Sequence, residues 1–198
     1  MKEIFEKIWE LAFPYQDKRD DEGHAKITTD YALKLLETES GNDEVVIPAI
    51  ILHDIGWSQL DKEQRMIIFD HDATRDQKLD VRYKHQDAGV ELAKEILNQL
   101  NYSEDLINEI TEIISQHDTR DGFISQNEGL VRDADKLWRF SKTGFTADLV
   151  RNKFSFKQLH DKLINKIELP NFFYSEKAKQ IAYDELEMRK KDCNGTQK

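Results

Sequence analysis

Cysteine is almost missing from this chain. Cys193 is the only one, and it lies in a polar end, so neither an intrachain disulfide nor a cysteine-built metal site can form. Proline and glycine are also scarce, at three and eight in 198 residues, which leaves long stretches free to be helical. No uninterrupted apolar run approaches membrane-spanning length, and the opening "MKEIFEKIWELAFPYQ" is charged and amphipathic rather than a signal-peptide core. These features predict a cytoplasmic protein with no membrane partner. Basic excess is lacking too. With 29 basic against 39 acidic residues the formal net charge is -10, and no long basic cluster offers itself to a nucleic-acid polymer. A small phosphorylated molecule stays compatible, because a bound cation reverses the local potential whatever the net charge.

Helical spacing dominates what is present. Ile4, Phe5, Ile8, Trp9 and Ala12 form a first stripe, ending near Pro14. Ile27, Tyr31, Leu35 and Leu36 mark a second helix, closed by "SGN" at 40–42, and Asp43 is the expected cap of a third, with Pro48 as a kink or delayed start. The polar stretch 58–80 reads as a connection with one short helix around 66–69. Further helices are expected at about 83–100, 103–116, 128–140, 155–167 and 174–191. The expected fold is all-α: one domain over 1–192, with a flexible tail at 193–198. Homo-oligomerisation is left open.

Residues three and four apart share a helix face. By that rule His24, His53 with Asp54, His85, His117 and Asp135 each continue an apolar stripe, at or near a helix end. A lone inward histidine is usually satisfied by a carbonyl. Five segments that each aim such a group at the core are harder to satisfy separately, and a shared imidazole–carboxylate cage suits a divalent transition metal. His71 sits in the acidic loop "FDHDATRD" and reads as solvated, with a substrate-side role as the lesser alternative. His160 shares a face with Phe156, Leu163 and Ile164 and reads as a core or interface residue.

The ordered stretches "HAKITTDYALKLL", "AIILHDIGW", "KHQDAGVELAKEIL", "IISQHDT" and "VRDADKLWRF" resemble the HD-domain superfamily of metal-dependent phosphohydrolases, from about His24 to Phe140. The resemblance implies a helical bundle in which His24, His53, Asp54 and Asp135 hold a metal. Asp135 is preferred over Asp133 for its "ADK" context; Asp133 would start the helix or support the ligands. His85 and His117 match the further ligands of two-metal members, whereas in one-metal members such histidines line the pocket and touch phosphate. The implied cofactor is one or two ions of Mn, Fe, Zn or Co, with two preferred, and Asp54, His85 and His117 take the catalytic parts.

Arg82 and Lys136 are the preferred phosphate contacts among several nearby cations. Trp57 or Trp138 would stack on a base, although tryptophan at helical spacing is more often core. Three departures bear on subclass: Trp57 stands where many relatives have lysine after "HDIG", it also replaces a glutamate used by nucleotidase-like members, and "GYP" is absent. The implied activity is hydrolysis of a nucleotide or other small phosphorylated metabolite. The alternatives are a di-iron oxygenase of the same superfamily and a non-catalytic metal- or nucleotide-binding module.

Overall fold

The structure, a computed structural model, describes residues 1–19 and 21–195. Among them helices are the only regular secondary structure. They are α1 (Glu3–Ala12), α2 (His24–Leu36), α3 (Asp43–Leu52), α4 (Lys62–Met66), α5 (Arg75–Gln99), α6 (Glu104–Gln116), α7 (Gln126–Leu137), α8 (Lys142–Asn152), α9 (Phe156–Ile167) and α10 (Glu176–Gly195).

The middle of the bundle is α3. Every residue from Val45 to Leu52 is buried, as expected of a helix that is apolar on all sides. Helices α1, α2, α6 and α7 pack around it. Full burial of each such aliphatic side chain contributes roughly 1.5–3 kcal/mol, so this short segment anchors the domain. Pro48 sits inside α3 and neither delays nor ends it. Asn42, not Asp43, caps it, accepting from the Glu44 amide at 3.0 Å.

Two element expectations need correction. Helix α5 begins at Arg75, not near 83, because Thr74 and Gln77 form a reciprocal capping box ahead of a polar, solvated first turn that shows no apolar stripe. His85 is therefore mid-helix rather than near an end. Helix α8 was not anticipated, for it too lacks a continuous stripe. Its start is fixed by Ser141, which accepts from the Gly144 amide, and by a close approach in which any Cβ on Gly144 would lie 2.0 Å from the Trp138 carbonyl oxygen. Helix α10 continues through Cys193 to Gly195, and residues 196–198 of the expected tail lie outside the described residues.

One glycine contact sets the site. After α3 a 3-10 turn (Ile55–Gln59) crosses α5 so tightly that a Cβ on Gly56 would lie 1.9 Å from the His85 carbonyl oxygen and 2.4 Å from the Gly89 nitrogen. Only glycine at 56 permits this crossing, which brings His85 to the His53–Asp54 pair.

Candidate metal centre

His24 opens α2, His53 and His117 close α3 and α6, His85 faces inward from the middle of α5, and Asp135 lies in the last turn of α7. Their side chains converge. His24 Nε2 lies 3.1 Å from His53 Nε2, 3.4 Å from Asp54 Oδ2 and 3.3 Å from Asp135 Oδ1. His53 Nε2 is 3.6 Å and 3.5 Å from the same two oxygens. On the other side, His85 Nε2 and His117 Nε2 are 3.4 Å apart, and lie 3.6 Å and 3.4 Å from Asp54 Oδ1. Asp54 thus gives one oxygen to each histidine pair.

The donor set fits divalent ions. Metal–ligand bonds of about 2.0–2.2 Å put neighbouring donors about 3.0–3.5 Å apart, close to the separations in both groups. The imidazole orientation agrees. His53 Nδ1 meets the Ile50 carbonyl at 2.7 Å and His117 Nδ1 meets the Ile114 carbonyl at 2.8 Å. A carbonyl only accepts, so each Nδ1 carries its proton and each Nε2 is turned into the cage. His24 and His53 present these nitrogens to each other in a buried space that also holds two carboxylates.

Charge within the cage is distributed unevenly. Burial disfavours the ionised form of both Asp54 and Asp135, yet it is outweighed: Arg19 and His53 hold Asp54 well below the usual carboxylate range, and hydrogen bonds from His24 and His53 do the same for Asp135. Burial also opposes a charged His53, but Asp54 and Asp135 lift it to about 9. His85 goes the other way, pushed to about 3 by burial and by His117.

Several supporting residues carried little signal in the sequence. Trp57 is buried and stacked on His85 with centroids 3.9 Å apart, and its Nε1–H donates to Asp54 Oδ1 at 3.0 Å. It supports His85 and Asp54, so in this structure it is no base-stacking surface. Arg19 binds Asp54 Oδ2 and lies 3.2 Å from Asp21 Oδ2. Asp118 places Oδ2 3.9 Å from His85 Nε2 and 2.7 Å from Arg82 Nη1. Gln86 donates to the Ser115 carbonyl at 2.6 Å and clamps the segment bearing His117 and Asp118. A signal for Gln86 existed, since it is a polar neighbour of an inward histidine.

The other named residues are also placed. Asp133 is buried two turns into α7, and accepts from the Tyr174 and Ser175 amides at 2.7 and 2.8 Å, anchoring the entry to α10. It neither starts its own helix nor touches the His/Asp cluster through these bonds. His160 is buried between α9 and α10 and stacks on Phe156. His71, by contrast, lines the cleft beside the cage.

That cleft, of about 380 Å³, exposes His24, Asp54, His117 and Asp135 to one shared space. Arg19, Lys78 and Arg82 line it on one side of the sequence, and Arg132, Lys136, Arg139 and Arg151 come from α7, α8 and the turn between them. On a chain of net charge -10 this concentration is local. Not all these cations face the space. Lys136 donates to the Phe172 carbonyl, and Arg132 reaches the carbonyls of Arg120 and Gly122. Arg82 is paired with Asp118.

The HD domain profile matches residues 22–139, more than half the chain and the whole span from His24 to Asp135. The chain belongs to the HD domain family. Its fold is similar to that of a crystal structure of a predicted HD superfamily hydrolase from an uncultured Thermotogales bacterium, with a TM-score of 0.62 and 18% identity over 99% of this chain and 90% of that one. No curated protein matches the sequence. Family membership accounts for the all-α bundle and for His/Asp clusters able to hold divalent metal. Among the described residues no helix is long and apolar enough to cross a membrane.

Proposed function

We propose that this HD domain protein is a metal-dependent phosphohydrolase acting on a nucleotide or another small phosphorylated metabolite. The observation that carries the proposal is the split of Asp54, with Oδ2 on the His24–His53 pair and Oδ1 on the His85–His117 pair. On this reading His24, His53, Asp54 and Asp135 hold one ion, and His85, His117 and Asp54 hold a second. Divalent ions bound there supply an activated water and charge neutralisation for a phosphoryl group.

The protein's own residues do the rest. Trp57 and Arg19 fix the two oxygens of Asp54, each donating to one of them. The carbonyls of Ile50 and Ile114 hold the imidazole protons on Nδ1 and so keep Nε2 available. The arginines of the cleft raise the local concentration of an anionic substrate against the protein's overall charge. Arg82 and Lys136 remain the proposed phosphate contacts only if each gives up its present partner, Asp118 or the Phe172 carbonyl.

The test is metal quantification followed by turnover of a phosphoester and nucleotide panel with Mn, Co, Zn or Fe. Hydrolysis that needs the ion and disappears with chelator is expected. Two irons with a mixed-valent signal and oxygen consumption would instead establish the oxygenase, and no turnover with any ion would leave a binding module.

A further inference from the structure

One charged cluster in the cleft is built more firmly than a solvated rim requires. Asp148, on α8, is 3% exposed. It divides its carboxylate between two guanidiniums, with Arg139 Nη1 at 3.1 Å from Oδ2 and Arg151 Nη1 at 3.4 Å from Oδ1. Asn152 Nδ2 donates to the Asp148 backbone carbonyl at 2.9 Å. The Arg151 guanidinium also lies 3.9 Å from the centroid of Phe69, so it is held by a carboxylate at one edge and a ring at one face. Phe69 comes from the 3-10 turn that follows α4 (Ile67–Phe69) and lines the same cleft.

One buried carboxylate between two arginines orients both forks and leaves the trio with a net positive charge. The trio lines the cleft together with His24, Asp54 and Asp135. Arg19, which is itself bound to Asp54, lines the same cleft. The start of α8 is separately fixed by the Ser141 cap and the Gly144–Trp138 approach.

We propose that Arg139 and Arg151, oriented by Asp148, form a subsite for a second phosphate group of the ligand, apart from the group presented to the His/Asp cage. The inference rests on the hydrolase reading above and narrows its substrates to molecules that carry more than one phosphate group.

Inorganic tripolyphosphate, titrated calorimetrically into the full chain in chelator, reads the subsite without any ion. Saturable binding is expected, weakened at least ~10-fold in Arg151→Gln and in Arg139→Gln, as loss of a charge-assisted fork requires. Lys26→Gln, which removes an exposed charge elsewhere, should shift binding less than about twofold. Arg139 is the more exposed of the two arginines and carries the test should Arg151→Gln fail to fold. Binding unchanged in the arginine variants, or weakened equally by Lys26→Gln, would overturn the subsite. If the metal-loaded protein hydrolyses no phosphoester while tripolyphosphate binding follows the arginines, the cluster stands as a polyphosphate site and only the hydrolase reading falls.

Discussion

The two sides of Asp54 are built from similar parts and are not equivalent. Toward His24 and His53 the donors are 3.1–3.6 Å apart and two carboxylates, Asp54 and Asp135, share the space. Toward His85 and His117 the separations run from 3.4 to 3.9 Å, and the second carboxylate, Asp118, is already engaged by Arg82. Anionic ligands raise the affinity of a site for a hard divalent ion, so the first position should fill before the second. On the two-ion reading, one shared aspartate would serve a tight position and an exchangeable one, the difference being set by what else each oxygen's neighbours hold.

Removing the shared group should have the largest effect. Asp54→Ala, verified as folded by circular dichroism, should lose both metal equivalents on equilibrium dialysis and show no turnover. His53→Ala should likewise lose the tight equivalent and activity; full metal content and turnover in either variant would remove the central claim. Next in size, His85→Ala or His117→Ala should lose about one equivalent while the other stays on His24, His53, Asp54 and Asp135, with turnover severely cut. Retention of the wild-type metal content with failed chemistry would point to a single-ion site.

Smaller effects sharpen the contrast. Asp118→Asn should weaken only the second position, by about 10-fold in metal affinity, as measured by competition with a chromogenic chelator. Equal weakening of both positions would mean that Asp118 acts on the cage as a whole. The smallest effect belongs to His71→Ala and His160→Ala, whose metal stoichiometry should match wild type. A lost equivalent in folded His160→Ala would show that the α9–α10 interface is misplaced.

The half of the domain that carries the His/Asp cluster was legible because each polar group adjoins an apolar stripe at helical spacing. Val46, Ala49 and Ile50 run into His53, and Ile110, Ile113 and Ile114 run into His117. These stripes decide burial, and burial of a histidine or aspartate has few satisfactory outcomes. The α8 part of the cleft wall was not legible. Asp148 and Arg151 follow no stripe, and α8 depends on a cap and a glycine contact that periodicity does not reveal. The first turns of α5 were missed for the same reason, because a capping box can start a helix on a wholly polar face. Arg19 lies outside any helix and reaches Asp54 across 35 residues, a partnership that only the folded chain defines.

The most direct test is a crystal of the wild-type protein equilibrated with Mn and measured at the metal's absorption edge. The account predicts two anomalous peaks flanking the Asp54 carboxylate, one among His24, His53 and Asp135 and the other against His85 and His117. A single peak, with His85 and His117 bound to no ion at saturating Mn, would contradict it.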